Sequence, residues 1–270
     1  MPRDLPLGVF DSGLGGLTVV RAIRAACPSE SILYLGDTAR VPYGTRSAET
    51  VIKYAIGCAR LLVARGVKAI VVACNTVSAV ALDALRVELD IPVLGVIHPG
   101  ARAAVAAAKG GTVGVLATAG TIASGAYPRA VAALSTRAEV IGQAAPLLVP
   151  LVEEGWLEGD VPRFAVRRYV EPLLARGARA IVLGCTHYPL LYDVIAKEAA
   201  AIAGAPIPVV DSAQATAEDV RAFLGERDFA ATRSGVGSLE LLVTDLPASF
   251  AAVASRFLGH EVEDVALVDL

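Results

Sequence analysis

The sequence predicts an α/β protein made of two similar domains, each built on a parallel sheet. The first observation is that short apolar runs alternate with helical patterns along almost the whole chain, which is typical of parallel strands joined by right-handed crossovers. The second is internal repetition, since residues 8–13 are echoed by 114–119 and residues 91–94 by 207–210. The offset of about 110 residues is far above the ~20 to 50 residues of stacked repeats, so a whole domain is duplicated. We therefore expect two domains that face each other with pseudo-two-fold symmetry.

Each predicted strand is a short run of apolar, often β-branched residues that is bounded by polar or turn-forming residues. In chain order the predicted strands are 7–10, 31–35, 68–73, 92–96, 112–116, 138–142, 178–183, 207–210 and 238–243. Helices are predicted between them, where apolar residues recur at helical spacing and several segments are rich in alanine. In chain order the predicted helices are 15–26, 48–65, 76–89, 99–108, 120–134, 160–176, 188–201, 214–223 and 247–258.

The repeat also predicts how the chain divides into domains. Two Ile-Pro-Val segments lie at equivalent points of the two halves. Between them the chain is expected to leave the first domain, build the second and return. The predicted second domain is residues 98–206, and the first is residues 1–97 plus 207–270.

Composition and charge argue against several classes of protein. Hydrophobic residues make up 55% of the chain and the mean hydropathy is +0.59, but no uninterrupted apolar span reaches the ~20 residues that cross a bilayer. The first residues lead straight into a predicted strand, without a secretory apolar region. A net charge of −3 with no basic cluster gives no reason to expect nucleic acid. We expect a cytoplasmic protein with neither a membrane nor a nucleic-acid partner.

Two of the four cysteines, Cys74 and Cys185, stand out because their contexts match. Each follows a predicted buried strand and precedes polar residues that start a helix. Open α/β sheets bind ligands at this end of their strands, and a helix N-terminus lowers the pKa of a thiol from about 8.5. Cys27 and Cys58 are interpreted as packing residues. Because no Cys-x-x-Cys spacing occurs, neither a disulfide framework nor a thioredoxin-like motif is predicted.

A glycine-rich turn follows the first predicted strand. Residues 11–18 are Asp-Ser-Gly-Leu-Gly-Gly-Leu-Thr, and such glycines let backbone N–H groups approach an anion. Thr18 stands where the dinucleotide-binding fingerprint needs its third glycine, so a carboxylate ligand fits better than a pyrophosphate. The alternative is a turn whose glycines serve only close packing. That alternative explains Asp11 poorly, because a buried acid needs a partner or a function.

The loop at residues 36–44 is long and chemically mixed. Its tip, Pro-Tyr-Gly at residues 42–44, offers a hydroxyl, a ring and backbone amides to a small polar ligand. The alternative for the rest of the loop is that Asp37 and Arg40 merely pair with each other. Both interpretations remain open from the sequence.

Further candidate side chains lie in the second half. Glu153 and Glu154 follow an apolar run, and a solvated face is the default for adjacent glutamates, although one of them can point into a cleft. His187 lies two residues after a cysteine, where it is suited to general acid or base chemistry. His98 and His260 show no metal-ligand spacing with it, so no metal site is predicted.

Taken together, these motifs resemble those of the glutamate racemases, which belong to the cofactor-independent aspartate/glutamate racemase superfamily. The motifs that carry the resemblance are residues 9–16, 36–38, 42–44, 73–76 and 184–190. The resemblance extends from about residue 7 to residue 258. It implies two flavodoxin-like domains with the active site between them.

The resemblance also implies roles for individual residues. Cys74 and Cys185 match the two catalytic cysteines, with Asp11 assisting the first, and with His187 and a glutamate at Glu153 assisting the second. The implied substrate-contacting residues are Asp11, Ser12, Tyr43, Gly44, Asn75, Thr76, Thr186 and His187. Aspartate-specific relatives usually carry glutamate after the second Cys-Thr, so His187 favours glutamate as the substrate. His98 departs from the acid that is frequent at that position, at the presumed crossing between the domains.

The implied activity is interconversion of L- and D-glutamate by two thiols, with the D-glutamate supplying peptidoglycan synthesis. No cofactor is implied, because no lysine lies in a motif and none is marked as a Schiff-base lysine. The implied partner is the small-molecule substrate, and a homodimer is a hypothesis only.

Three alternatives remain open from the residues. The first keeps the racemase and changes the substrate to aspartate or another acidic amino acid. The second is a non-catalytic amino-acid-binding protein, against which the paired thiols argue. The third is a two-cysteine redox switch, which requires the two thiols to approach bonding distance.

Overall fold

Two parallel sheets form the framework of the protein. The computed structural model describes residues 3–246, 250–262 and 264–270. The strands are β1 (Leu7–Asp11), β2 (Ile32–Gly36), β3 (Ala69–Val72), β4 (Val93–Gly95), β5 (Val113–Ala117), β6 (Val140–Ala144), β7 (Ala180–Gly184), β8 (Val209–Asp211), β9 (Leu239–Val243) and β10 (Ala266–Leu267). Every strand pairing is parallel. The predicted α/β class is confirmed.

The first four strands of each sheet, counted along the chain, have the same spatial order. The first sheet has the order β10-β9-β2-β1-β3-β4 and the second has the order β6-β5-β7-β8. Each therefore contains the flavodoxin-like arrangement in which the second strand lies on one side of the first and the third and fourth lie on the other. In such a sheet a crevice opens at the carboxyl ends of the first and third strands, where the connections diverge to opposite faces. The two crevices lie at the ends of β1 and β3 and at the ends of β5 and β7.

Helices cover the faces of these sheets. They are α1 (Leu17–Ala26), α2 (Ala48–Ala64), α3 (Asn75–Val80), α4 (Leu82–Glu88), α5 (Ile97–Ala107), α6 (Ala119–Ala123), α7 (Ala126–Leu134), α8 (Leu148–Glu153), α9 (Asp160–Ala175), α10 (Tyr192–Ala203), α11 (Ser212–Glu226) and α12 (Phe250–Leu258). Short 3-10 helices occur at Thr38–Arg40 and Tyr188–Leu191. Within the described ranges, no helix combines the length and apolar character needed to cross a membrane.

Some helices differ from the prediction in their extent. The predicted helix 120–134 is divided into α6 and α7 by Gly125, whose φ of +67° no regular right-handed helix adopts. The predicted helix 76–89 is likewise two helices, α3 and α4, which meet at Ala81. Of the predicted helix 247–258, residues 247–249 lie outside the described part of the chain and the rest forms α12.

Strand pairing corrects one predicted domain boundary. The chain passes from the first sheet to the second between β4 and β5. The predicted return to the first domain at residue 207 is too early, because β8 pairs with β7 in the second sheet through Val209 and Ile181. We propose that the second domain extends through β8 and that the first domain resumes with α11.

A buried ion pair connects the first sheet to the segment that follows α11. Lys68 is 1% exposed, and its Nζ lies 2.6 Å from the Glu30 carboxylate. The same Nζ donates to the backbone carbonyls of Arg3 at 2.7 Å and Phe229 at 2.9 Å. The ammonium thus has one opposite charge beside it and two carbonyl acceptors, which offset the cost of burying its charge. Lys68, which directly precedes β3, therefore has a structural role.

Candidate active site

Cys74 lies in the crevice of the first sheet. It follows β3 and forms the N-cap of α3, with only 5% of its surface exposed. Its Sγ lies 3.5 Å from the Ser12 hydroxyl oxygen. Asp11 is the last residue of β1, and β1 is the strand that pairs directly with β3. The structure therefore brings together the cysteine and the acid that the sequence placed 63 residues apart in the chain.

The Asp11 carboxylate is only half satisfied. Its Oδ2 accepts a hydrogen bond from the Gly16 backbone N–H at 2.9 Å. A side chain at Gly16 would come within 2.5 Å of Asp11 Cβ, so the turn needs glycine at this point. The other oxygen, Oδ1, is buried and has no hydrogen-bond partner among the described residues. A buried acceptor without a partner is costly, and it marks a place where a ligand or a transferred proton fits.

Burial dominates the titration of this half of the site. Burial, with a smaller contribution from the charge of Asp11, raises the pKa of Cys74 to about 12 and outweighs the hydrogen bonds from Ser12 and Val77, which lower it. Burial also raises the pKa of Asp11. The expectation that the helix N-terminus lowers the pKa of this thiol is therefore wrong, because α3 is only six residues long and desolvation outweighs its dipole.

Cys185 occupies the corresponding crevice of the second sheet. It follows β7 and is 6% exposed. Its Sγ lies 3.9 Å from His187 Nδ1, while His187 Nε2 lies 3.1 Å from Glu153 Oε1. The Cys185 thiol, the His187 imidazole and the Glu153 carboxylate thus form a hydrogen-bonded chain, which can hold a proton at the sulfur or move it away.

The His187 imidazole is held in its protonated form. Burial lowers its pKa, but hydrogen bonds to Cys185 and Glu153 outweigh burial and raise the pKa from 6.5 to about 10. At neutral pH the ring therefore carries a positive charge beside the Cys185 sulfur. That charge also reaches the first half of the site, since it lowers the pKa of Asp11 against the larger effect of burial.

The structure distinguishes the two adjacent glutamates. Glu153 is the last residue of α8 and makes the contact with His187. Glu154 caps that helix and is exposed. The sequence did not predict α8, because Pro150 interrupts the pattern, although proline is tolerated in the first turn of a helix.

The two half-sites touch each other. Thr18 donates a hydrogen bond to the backbone carbonyl of Thr186 at 3.1 Å. A side chain at Gly15 would come within 2.4 Å of Thr186 Oγ1 and 2.5 Å of His187 Nδ1. The glycine-rich turn after β1 therefore lies directly against the loop that carries Cys185, and its second glycine permits this approach.

A cluster of threonines connects the halves on the other side. Thr76 Oγ1 lies 2.9 Å from Thr118 Oγ1 and 3.3 Å from Thr121 Oγ1. Gly44 completes the cluster, because its carbonyl accepts the N–H of Gly120 at 3.0 Å. Thr118 and Thr121 were missed by the sequence analysis. The signal was present, since the internal repeat aligns residues 114–119 with the turn that contains Ser12.

The side-chain amide of Asn75 has a bonded oxygen and a nitrogen without a described partner. Its Oδ1 accepts a hydrogen bond from the Tyr127 hydroxyl at 2.8 Å. Its Nδ2 is buried, with no partner within the described part of the chain. The amide therefore presents an unused donor, and a carboxylate is a fitting acceptor for it. Tyr127 was not predicted as part of the site.

Tyr43 does not present its hydroxyl to the site. The side chain is 1% exposed, and its hydroxyl donates to Asp37 Oδ2. Arg40 Nε lies 2.7 Å from the same oxygen, so the interpretation in which Asp37 and Arg40 pair across the loop is confirmed. Because the Asp37 carboxylate already accepts the proton of the Tyr43 hydroxyl, that proton is not available to a ligand. Contact of Tyr43 and Gly44 with a substrate stays a prediction.

The other two cysteines are packing residues, as predicted. Cys27 and Cys58 are buried, and all four cysteines are free thiols. Burial raises the pKa of Cys58 to about 12, which keeps this thiol unreactive. In the segments that the structure describes, no group of three histidine, cysteine or acidic side chains could hold a metal ion.

Comparison with known proteins agrees with this geometry. The family model for Asp/Glu/hydantoin racemases matches residues 15–220. The glutamate racemase of Geobacter metallireducens is 48% identical over 264 residues, which are 98% of this chain and 96% of that protein. The chain belongs to the glutamate racemase family.

Solved structures of glutamate racemases show the same fold. The isoform RacE1 of Bacillus anthracis matches with a TM-score of 0.93 and 39% identity, over 99% of this chain and 98% of that one. The glutamate racemase of Francisella tularensis, solved in complex with D-glutamate, matches with a TM-score of 0.90 and 35% identity, over 99% and 98% of the two chains. The two flavodoxin-like sheets are thus those of a glutamate racemase, an isomerase.

Proposed function

We propose that this racemase interconverts L- and D-glutamate with Cys74 and Cys185 acting on opposite faces of the α-carbon. One observation carries the proposal: each cysteine follows the third strand of its own sheet, and the glycine-rich turn beside Cys74 lies against the loop that carries Cys185, where Thr18 donates to the Thr186 carbonyl at 3.1 Å. The two thiols therefore share one space although they belong to different sheets. Inversion at carbon requires an acid and a base on opposite sides, and this arrangement supplies both.

The reaction balances without an oxidant or a second substrate. In the direction from D- to L-glutamate, the Cys74 thiolate removes the α-proton, and the electrons of the broken C–H bond pass into the α-carboxylate. The Cys185 thiol then delivers its proton to the other face of the carbon. The product leaves Cys74 as a thiol and Cys185 as a thiolate, and the reverse reaction or proton exchange with solvent restores the starting state.

Asp11 and His187 set the protonation states of the thiols. The raised pKa of Asp11 makes its carboxylate a stronger proton acceptor, and the unpartnered Oδ1 is free to take the proton of Cys74. The charged His187 ring lies 3.9 Å from the Cys185 sulfur, and Glu153 helps to keep the ring charged. The two half-reactions therefore use different assistants, a carboxylate on one face and an imidazolium on the other.

The substrate fits the unused polar groups of the site. The free Nδ2 of Asn75 donates to a substrate carboxylate, and the Thr76 cluster and the Thr186 side chain supply further hydroxyls. The Ser12 hydroxyl lies beside the reacting sulfur of Cys74. Such preorganised donors matter most for the negative charge that develops on the α-carboxylate in the transition state. By the role of this family, the D-glutamate produced serves peptidoglycan synthesis, and a cytoplasmic location remains a prediction.

Hydrogen exchange in D₂O tests the assignment of the faces. Cys185→Ser should abolish racemisation, because a serine hydroxyl is a far weaker acid than a thiol, but the remaining Cys74 should still exchange the α-proton of one enantiomer. The family resemblance assigns D-glutamate to Cys74, so deuterium should enter D-glutamate in Cys185→Ser and L-glutamate in Cys74→Ser. Equal label in both enantiomers, or full racemisation by either variant, would show that one cysteine is only structural.

A further inference from the structure

The last helix of the first domain reaches the half-site of the second. Helix α12 packs against α1, which lies on the first sheet. Its Phe257 is fully buried, and the edge of its ring meets the His187 ring with 5.0 Å between centroids and 77° between planes. The imidazole beside Cys185 is therefore packed by a side chain from the other domain.

The neighbouring residue of α12 binds the end of the helix that carries Glu153. Arg256 Nη1 donates to the backbone carbonyls of Val152 at 3.0 Å and Glu153 at 2.5 Å. These carbonyls belong to the last turn of α8, where backbone acceptors lack intrahelical partners and a positive charge is favourable. Gly155 leaves room for the guanidinium, since a Cβ at this position would come within 2.7 Å of Nη2.

We propose that Arg256, together with Phe257, is a positioning residue for the His187–Glu153 pair. Arg256 holds the end of α8 so that Glu153 reaches His187 Nε2, and Phe257 restricts the plane of the imidazole so that Nδ1 faces Cys185. The proposal rests on the proposed function, in which this pair serves the Cys185 face. It predicts that loss of Arg256 slows proton transfer on that face alone.

Exchange measured in single-cysteine backgrounds isolates the two faces. In Cys74→Ser, exchange of L-glutamate in D₂O reports on Cys185, and adding Arg256→Met should slow it about tenfold, as a small misplacement of a catalytic group does. In Cys185→Ser, the same substitution should leave exchange of D-glutamate within about twofold. Arg256→Lys keeps one charged donor and should restore part of the lost rate. Arg168 is an exposed arginine of α9 without a hydrogen bond to a described residue. Arg168→Met is therefore the matched control and should change neither rate.

Each outcome decides between distinct explanations. If Arg256→Met slows both exchange reactions equally, α12 supports the fold or domain closure in general and the positioning role is wrong. If it slows neither, while each background still exchanges one enantiomer, the positioning role is wrong and the two-thiol function stands. If both single-cysteine backgrounds exchange both enantiomers, the two-thiol function itself is wrong and the positioning role falls with it. Should Arg256→Met not fold, Arg256→Lys alone decides, by slowing L-glutamate exchange selectively or not.

Discussion

Removing the charge of Glu153 should lower the pKa of His187 and leave the rest of the site in place. Glu153→Gln keeps the shape and the hydrogen bond to Nε2 but removes the carboxylate that lies 3.1 Å from the ring. Of the two groups that raise the His187 pKa to about 10, Cys185 has the larger effect and Glu153 the smaller. An opposite charge at this distance shifts a pKa by about 1 to 3 units, and half of the Glu153 side chain is exposed to screening solvent, so we expect a decrease of about one unit.

The same change alters how stability depends on pH. The pKa of His187 is higher in the folded protein than its unfolded value of 6.5, so its contribution to stability is complete below pH 6.5 and is lost as the pH rises through about 10. In Glu153→Gln this loss should occur about one pH unit lower. Urea unfolding between pH 6 and pH 10, together with an NMR titration of the His187 ring assigned through His187→Asn, measures both effects.

The adjacent residue provides the control. Glu154→Gln removes an equal charge one residue further along the chain, where the side chain is exposed and no contact with His187 exists. It should leave the His187 titration unchanged. A His187 pKa that stays near 10 in Glu153→Gln, or that moves equally in both variants, would refute the pairing inferred from the structure.

Three further outcomes are expected. Lys68→Met should lower the free energy of unfolding in urea by about 3 to 5 kcal/mol, because it leaves the buried Glu30 carboxylate unpaired. Arg60→Met breaks an exposed ion pair and should lower it by about 1 kcal/mol or less. Equal losses in the two variants would contradict the structural role of Lys68. Thr121→Val should reduce kcat/KM in a racemisation assay by about 2- to 10-fold, because it removes the hydroxyl that bonds to Thr76 and Thr118, and an unchanged kcat/KM would exclude the threonine cluster from substrate binding. Dialysis against EDTA should leave racemisation unchanged, since the reaction is assigned to thiols, and a loss reversed by zinc would contradict that assignment.

The candidate reacting residues could be picked out from sequence because their signals are local. Cys74 and Cys185 each follow a run of buried strand residues, and the topology of parallel sheets places such positions at a ligand crevice. Asp11 follows the same rule at the end of β1. In each case a few neighbouring residues carry the information, and the fold brings the separate segments together.

Other parts of the site depend on contacts between distant segments. Arg256 and Phe257 act on α8 and His187 from far along the chain, and nothing near them in the sequence marks that contact. The raised pKa of Cys74 is likewise a property of burial, which a helix-start pattern does not reveal. The hydrogen bond from the Tyr43 hydroxyl to Asp37 is likewise evident only in the folded loop.

The unlike assistants of the two cysteines have a thermodynamic consequence. In the proposed mechanism a buried carboxylate assists one proton transfer and an imidazolium assists the other, so the barriers for the two transfers have no reason to be equal. The substrates, however, are mirror images with identical free energies in water, and the equilibrium constant between them is unity. The Haldane relation then requires kcat/KM to be the same in both directions, whatever the site does. In the steady-state kinetics of the unmodified enzyme, the electrostatic asymmetry of this site can therefore appear only as compensating differences in kcat and KM, with the enantiomer that is turned over faster also having the higher KM.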